Sequence, residues 1–152
     1  MIVWIQSLVT RFSAWTRRGR RAAVVEEVDT ELRDAFLAEL TDILQSIDTA
    51  LARWRANPSD IDAHKQLRRG FHTIKGSAPL VGADLLGNYC KDLERLMNEF
   101  QERPAKVTPI AISTLAQAIG LLPAFGESLR ADRPAPVLAS AVHQRVLRLI
   151  AR

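Results

Sequence analysis

One short stretch of the sequence combines a titratable side chain, a cation and a position without a side chain. His72 is followed by Lys75 three residues later and by Gly76 four residues later. On a helix, where successive residues turn by about 100°, these three lie within one turn of each other. The apolar neighbours Phe71 and Ile74 then point to the opposite side, which leaves His72 facing solvent. Because imidazole titrates near neutral pH and offers a nitrogen for nucleophilic attack, we expect chemistry at His72.

Cations surround this histidine in the predicted helix. Arg68 lies four residues and Arg69 three residues before His72, and Lys75 lies three residues after it. This setting disfavours a protonated ring and so helps to keep a ring nitrogen free for attack. It also suits a ring that becomes negatively charged, as it does when it carries a phosphoryl group. The pattern predicts that Lys75 pairs with phosphoryl oxygens, and that Arg68 and Arg69 contribute to partner binding.

Gly76 and Ser77 complete the candidate site. A glycine one turn after the histidine has no side chain that would keep a partner's active site from closing over the ring. The hydroxyl of Ser77 would add a peripheral polar contact with a partner. A surface histidine among arginines is most often just part of a solvated face. The combination of an exposed histidine with a lysine three residues later and a glycine four residues later favours function.

The other histidines and the single cysteine carry no motif. His64 falls near the edge of the apolar stripe of its helix and His143 lies near the C-terminus, so we interpret both as boundary residues. Their wide separation argues against a metal site. Cys90 is expected to be a buried small hydrophobic residue, and a lone cysteine fits a reducing cytoplasm. The tryptophans are interpreted as packing anchors: Trp4, Trp15 and Trp54.

The positive charge of the chain is concentrated at its start. The net charge is +4, yet five arginines precede the first acidic residue, Glu26: Arg11, Arg17, Arg18, Arg20 and Arg21. From residue 26 onward, 16 Lys and Arg stand against 17 Asp and Glu, a net charge of −1. We therefore predict a basic N-terminal segment or linker over residues 1–25 and a near-neutral domain over 26–152. A hydrophobic content of 47% is typical of one soluble domain of this length.

Residues 1–16 have the pattern of a short amphipathic helix. Their apolar residues recur at helical spacing: Ile2, Ile5, Leu8, Val9, Phe12 and Trp15. The stretch is too short to span a bilayer, and its positive charge follows the apolar part, which argues against a secretory signal. Three roles stay open: peripheral membrane contact through residues 1–21, packing on the body of the protein, or a linker. We expect a cytoplasmic protein, with membrane association left open.

The remaining sequence predicts an all-α protein. Helical periodicity, with proline and glycine at the boundaries, places helices over about residues 29–56, 61–77 or 61–81, 84–103, 108–129 and 137–152. Asp29 or Thr30 is expected to cap the first helix, and Pro123 to kink or break the fourth near Gly120. Short connections favour antiparallel neighbours. The predicted architecture is an antiparallel four-helix bundle with an extra N-terminal amphipathic segment and a C-terminal helix.

The stretch around His72 resembles a known motif. The run His72-Thr73-Ile74-Lys75-Gly76-Ser77-Ala78 is similar to the HxxKG(S/A) motif of histidine phosphotransfer (HPt) domains. The resemblance extends to residues 67–71, 80–83 and 93–98, and it covers about residues 29–131. The HPt modules of chemotaxis-type (CheA-like) histidine kinases look most similar, above all those of type IV pilus chemosensory systems. The pair Trp54 and Pro58 is part of this likeness.

The resemblance implies a fold, a reaction and partners. The fold is an antiparallel four-helix bundle, and its histidine, here His72, exchanges a phosphoryl group with an aspartate of a response-regulator receiver domain. In such domains the residue matching Lys75 assists the phosphorylated state, and the residue matching Gly76 leaves room for the regulator. A histidine kinase catalytic domain, in cis or in trans, is the second partner. Pro79 departs from the family pattern and predicts that the helix is interrupted after the motif.

The resemblance also bears on cofactors and enzyme status. No cofactor or metal is expected on this chain, because Mg²⁺ is expected on the receiver domain. The chain has no glycine-rich nucleotide loop and no room for an ATPase fold, so we expect a phosphotransfer domain rather than an enzyme. Such a domain could still be part of a larger histidine kinase.

Two other classes of function compete with phosphotransfer. A helical adaptor would bind signalling partners through the bundle surface without being phosphorylated. Such an adaptor would be free to lose His72, whereas this chain keeps the histidine, lysine and glycine together. Nucleic-acid binding through Arg17–Arg21 is disfavoured because neither interleaved aromatic residues nor a recognition helix accompanies the arginines.

Overall fold

A computed structural model describes residues 22–152 of the chain, with side chains from Asp29 onward. These residues form six α-helices: α1 Ala22–Ala56, α2 Ile61–Ser77, α3 Asp84–Glu102, α4 Pro109–Gly120, α5 Leu122–Arg130 and α6 Val137–Ala151. Two 3₁₀ turns, Ala78–Val81 and Pro104–Lys106, follow α2 and α3. No strand occurs within residues 22–152, and the predicted all-α class is confirmed. The predictions for residues 1–21, with Trp4 and Trp15, lie outside the described residues.

The helices pack around one hydrophobic core. Helices α1, α2 and α3 form three members of an antiparallel bundle, α4 and α5 together form the fourth, and α6 packs against α3 and α4. This arrangement confirms the predicted four-helix bundle and its additional C-terminal helix. Trp54 is fully buried and stacks on Phe100 with the ring centroids 5.7 Å apart, so it is a packing anchor as predicted. Cys90 is buried, as predicted.

The predicted helix boundaries are set by short polar residues and proline. Asp60 caps α2, because its carboxylate accepts a hydrogen bond from the Ala63 amide at 2.9 Å. Thr108 caps α4 in the same way, with its hydroxyl oxygen 3.2 Å from the Ala111 amide and Pro109 in the first turn. The fourth bundle helix breaks between Gly120 and Leu122, next to Pro123, as predicted.

The start of the first helix differs from the prediction. Helix α1 begins at Ala22 and runs through Asp29 and Thr30 without interruption, so neither residue caps it. Capping residues permit a helix to begin but do not force it to, and residues 22–28 contain no glycine or proline. The proposed division after residue 25 therefore falls inside α1, although the domain limits themselves remain a prediction.

Pro79 ends α2, in agreement with the prediction of an interrupted helix. The α-helix stops at Ser77, and a 3₁₀ turn leads to Gly82, whose φ of 72° is in the left-handed region that glycine favours. The proline ring packs against α3 at Gly87, where an added Cβ would lie 3.4 Å from the ring carbons Cγ and Cδ. A tight turn therefore joins α2 to α3 directly after the motif. This turn fixes the position of α3 along the axis of α2.

Polar contacts tie α6 and the fourth helix to the rest of the bundle. His143 of α6 donates from Nε2 to the Asp92 carboxylate of α3 at 2.8 Å, and Lys106 contacts the Ile150 carbonyl near the end of α6. The Tyr89 hydroxyl donates to the Ala118 carbonyl of α4 at 2.9 Å. Within residues 22–152, only Pro109–Arg130 is long and apolar enough to cross a membrane, with a mean hydropathy of 1.4. It is the fourth helix of the bundle, and its buried side chains belong to the core.

Candidate functional site

Helix α2 holds His72 on its outer face. The neighbours Phe71 and Ile74 are fully buried and anchor this part of the helix in the core. The His72 side chain itself is 65% exposed. Exposed residues of the same face are Lys65, Arg68, Arg69 and Gly76. The alternation of buried and exposed residues confirms the predicted orientation of His72 toward solvent.

A carboxylate of the neighbouring helix is hydrogen-bonded to one nitrogen of the His72 ring. Glu94 of α3 accepts a hydrogen bond from His72 Nδ1 at 2.8 Å through one oxygen. Its other oxygen accepts from Lys75 Nζ at 2.6 Å. Because an ionised carboxylate can only accept, the ring proton lies on Nδ1, and in the neutral ring Nε2 keeps its lone pair. Glu94 thus sets both the tautomer and the orientation of the exposed ring.

Glu94 is an ionised group at neutral pH. Partial burial tends to raise the pKa of its carboxyl, but the hydrogen bonds from Lys75 and His72 outweigh this effect and hold the pKa below its usual value. Its side chain is only 15% exposed, whereas that of His72 is largely exposed. A fixed negative charge therefore lies beside the ring nitrogen that faces the protein. It stabilises positive charge on the ring, which is the charge that arises when Nε2 acts as a nucleophile.

The two arginines before His72 lie on the same face of α2, and Arg68 is directed at α3. Arg68 Nη1 lies 3.5 Å from the Asn98 Oδ1 atom of α3, one helical turn away from Glu94. Arg69 is exposed on α2. Both side chains add positive charge to the surface that a partner would meet before it reaches His72. Their predicted role in partner binding fits this placement and stays a prediction.

Ser77 is placed less favourably for partner contact. Its hydroxyl donates to the Thr73 carbonyl of its own helix at 2.9 Å, and the residue is only half-exposed. This bond directs the hydroxyl along α2 rather than toward the His72 ring. The structure brings together His72, Lys75 and Glu94, while Ser77 lies at the margin, and its predicted contact with a partner stays a prediction.

Gly76 leaves open space one turn after His72. A Cβ added there would lie more than 4 Å from the other described residues that it could meet, so their packing does not require glycine at this position. Glycine near the end of a helix lowers helix stability relative to alanine. The surface beside the ring is therefore unobstructed in the described part of the chain, although a Cβ could be added without a clash there.

The other histidines lie away from this site. His64 donates from Nε2 to the Met97 carbonyl at 2.8 Å, and its partial burial lowers the pKa of its ring. It lines a cavity of about 550 Å³ at the opposite end of α2, with Trp54 and Phe100. His143 lies edge-on against Tyr89. Both are half-exposed residues at the border of the core, as predicted.

The described residues offer no ready metal site. No group of three or more His, Cys, Asp or Glu side chains is arranged to hold a metal ion within the described part of the chain. At the candidate site, both oxygens of Glu94 are already engaged by His72 and Lys75. A cation at Glu94 would therefore have to displace one of these two contacts.

Glu94 is the residue that the sequence predictions miss. They assign Glu94 no role, although the spacing of His72 and Glu94 around the turn at Gly82 indicates that the two residues could meet. His72 lies ten residues before Gly82 and Glu94 twelve residues after it, on helices whose short connection makes them antiparallel neighbours. Lys91 and Arg95 of α3 lie at nearly the same level, and only the rotation of α3 about its axis selects Glu94. That rotation follows from the packing of the whole bundle and not from a local pattern.

Comparison with known proteins is consistent with this geometry. The family model of the Hpt domain matches residues 31–125. Among curated proteins, the chain is similar to the "Sensor histidine kinase CheAY" of Helicobacter pylori (strain ATCC 700392 / 26695), with 27% identity over 92 residues. The match covers 60% of this chain and 12% of the length of that kinase. No solved structure matches the chain.

Proposed function

Because the chain belongs to the Hpt domain family, we propose that His72 accepts a phosphoryl group on Nε2 and exchanges it with an aspartate of a response-regulator receiver domain. The family match and the kinase relative support histidine phosphotransfer in two-component signalling. One observation supports the specific role of Nε2. Nδ1 of the exposed His72 ring is bonded to Glu94, so Nε2 is the nitrogen with a free lone pair.

The proposed reaction is an in-line displacement at phosphorus. The Nε2 lone pair attacks the phosphorus atom of an aspartyl phosphate, the P–O bond to the aspartate breaks, and the carboxylate leaves with the electron pair. The ring keeps its Nδ1 proton and gains positive charge, which the Glu94 carboxylate stabilises. Transfer in the other direction reverses these steps. When a kinase is the donor, the terminal phosphoryl group of ATP moves to Nε2 and ADP leaves.

Lys75 and Gly76 have separate roles in this proposal. Lys75 is bonded to Glu94 in the unphosphorylated site and lies within one turn of His72, so it can exchange this partner for a phosphoryl oxygen. Gly76 leaves the space into which the rim of a receiver active site closes. The receiver supplies Mg²⁺ and the acidic pocket that holds it, and the Hpt domain supplies the nucleophile.

A histidine kinase catalytic domain is the proposed source of phosphoryl groups, in the same polypeptide or in another one. The chain spans 12% of the length of the sensor histidine kinase that it matches. The competing role, an adaptor that is never phosphorylated, gives no reason for Glu94 to hold one ring nitrogen while leaving the other exposed.

Phosphoryl transfer to the purified chain tests the proposal. The chain is incubated with a receiver domain carrying labelled aspartyl phosphate, or with a histidine kinase and labelled ATP. We expect label that is labile in acid and stable in base, and we expect His72→Gln to abolish it. His143→Gln and His64→Gln are matched controls that should keep the label. Label that persists in His72→Gln would show that the phosphoryl acceptor is another residue.

A further inference from the structure

A cavity of about 550 Å³ lies at the start of α2, away from His72. Its wall combines residues from the end of α1, the start of α2 and the end of α3. The buried rings of Trp54 and Phe100 form part of the apolar wall. Ile61, the first residue of α2, also lines the cavity and is 67% exposed. A cavity of this size, with apolar walls and a few polar groups, is typical of a small-molecule site.

The indole N–H of Trp54 has no hydrogen-bond acceptor among the described residues. The side chain is fully buried, so the protein shields this group from bulk solvent. An indole N–H can only donate, and a buried donor without an acceptor costs free energy. Folded proteins rarely leave such a group unpaired, so each instance requires an explanation. Because Trp54 is part of the cavity wall, a molecule in the cavity is a candidate for the missing acceptor.

Lys65 gives the cavity wall a surplus of positive charge. It lines the cavity and is exposed, and its ammonium group pairs with no described residue. The carboxylate of the wall, Asp60, is already paired with Arg53 at 2.9 Å and accepts a hydrogen bond from the Ala63 amide. Partial burial lowers the pKa of the His64 ring, which therefore adds no charge at neutral pH. The charge balance of the wall thus favours an anionic ligand.

We propose that this cavity binds a small apolar carboxylate. The apolar body of the ligand packs against Trp54 and Phe100, a carboxylate oxygen accepts from the Trp54 indole, and Lys65 balances the negative charge. Apolar walls, an unpaired donor and an unpaired cation are the three features that this ligand class satisfies together. The proposal is independent of phosphoryl transfer, because no residue of the wall takes part in the proposed reaction at His72. Solvent alone is the competing occupant.

Nuclear magnetic resonance of the tryptophan indoles tests this proposal. The intact ¹⁵N-labelled chain is titrated with octanoate, an aliphatic carboxylate, and in parallel with 2-naphthoate, an aromatic one. The Trp54 indole signal is assigned by its loss in Trp54→Phe. We expect this signal to move in a saturable manner with at least one of the two probes, with a dissociation constant of about 1 mM or below. Octylammonium, which carries the opposite charge on the same alkyl chain, should bind more weakly than octanoate.

Substitution of Lys65 separates binding in the cavity from non-specific binding. We expect Lys65→Gln to weaken binding of the carboxylate probe roughly tenfold, because a charge-assisted contact is lost. Lys91→Gln removes an exposed lysine of α3 outside the cavity, so it is the matched control and should leave binding unchanged. Both lysines lie outside the core, so both variants should keep the fold, which circular dichroism verifies.

Three results would overturn the proposal. A Trp54 signal that stays in place with both carboxylates at millimolar concentration would mean that the cavity holds solvent only. Equal affinity for octanoate in Lys65→Gln and Lys91→Gln, or equal binding of octanoate and octylammonium, would show that the cavity does not select an anion. Movement of the Trp4 or Trp15 signal without movement of the Trp54 signal would place the probe on the N-terminal segment instead of in the cavity.

Discussion

At the scale of single residues, the proposed mechanism gives the two nitrogens of the His72 ring different tasks. Nδ1 of His72 is held by Glu94 at 2.8 Å, and because the side chain is 65% exposed, Nε2 is the nitrogen left for a partner. Lys75 shares the same carboxylate, at 2.6 Å. In the proposed mechanism the His72 ring is the nucleophile, Glu94 orients the ring and Lys75 binds the phosphoryl group, so these contributions are separable by substitution.

Removal of the Lys75 ammonium group tests one of these contributions. We expect Lys75→Ala to slow phosphoryl transfer roughly tenfold or to shorten the lifetime of phosphorylated His72, since a charge-assisted contact with the phosphoryl oxygens is lost. Rapid-quench measurement of the labelled protein gives both rates. Lys65→Ala, two turns before His72 on the same helix face, is the control. Equal rates in the two variants would show that Lys75 has no role of its own.

Gly76 is tested by adding a side chain. Because a Cβ at this position has no neighbour within 4 Å, we expect Gly76→Leu to fold normally, with unchanged or slightly raised thermal stability. Transfer from a receiver should nevertheless fall strongly, because the leucine occupies the space that the partner needs. Gly76→Ala should have a smaller effect. Transfer at the rate of the unmodified chain in Gly76→Leu would refute the steric role of this glycine.

At the scale of helices, local signals in the sequence predict most of the architecture. The caps at Asp60 and Thr108, the stop at Gly82 and the break beside Pro123 all lie where short-range rules place them. Helix α1 is the exception. It has good capping residues at its predicted start, Asp29 and Thr30, but the helix continues upstream of them to Ala22. Contacts between side chains of different helices cannot be predicted in this way. Glu94 contacts His72 only because of how far α3 is shifted along α2 and how it is rotated about its own axis.

Gly70 allows α2 to pack closely against α1. A Cβ added to Gly70 would lie 2.6 Å from Cγ1 and 2.8 Å from Cδ1 of Ile47, which is fully buried on α1. We expect Gly70→Ala to lower the free energy of unfolding by about 1–3 kcal/mol, because the buried isoleucine has little room to move. Urea denaturation followed by circular dichroism measures this change.

The same substitution at Gly76 is the control for Gly70. Gly76→Ala lies on the same helix in open space, so only the gain in helix propensity, up to about 1 kcal/mol, applies there. Combining Gly70→Ala with Ile47→Ala should cost less than the sum of the two single substitutions, since alanine lacks both Cγ1 and Cδ1. If Gly70→Ala were as stable as Gly76→Ala, the close approach of α1 and α2 would not be a constraint on this chain.

At the scale of the whole molecule, the domain is a rigid support for one exposed ring, with helix α6 added outside the family match. The Hpt match ends at residue 125, whereas α6 covers Val137–Ala151 and buries Ala139, Val142 and Val146. It is joined to α3 by the contact between His143 and Asp92. These contacts lie on a different side of α3 from Glu94, so we expect α6 to contribute to stability and not to the proposed phosphoryl transfer at His72.

Truncation of a buried side chain on α6 checks this division. Val146 is fully buried, so Val146→Ala should lower the free energy of unfolding by about 2 kcal/mol while leaving the rate of phosphoryl transfer unchanged. Ser140→Ala, exposed on the same helix, should leave both quantities unchanged. A stable Val146→Ala variant would show that α6 is not part of the core, and a slower transfer would show that α6 supports the site.

Nuclear magnetic resonance of the histidine ring nitrogens tests the central claim most directly. In the uniformly ¹⁵N-labelled chain, we expect a proton on Nδ1 of His72 and none on Nε2 before phosphorylation. After phosphorylation, phosphorus should couple to Nε2 of His72, with the proton still on Nδ1. A phosphoryl group on Nδ1 of His72, or on a ring nitrogen of His64 or His143, would contradict the account.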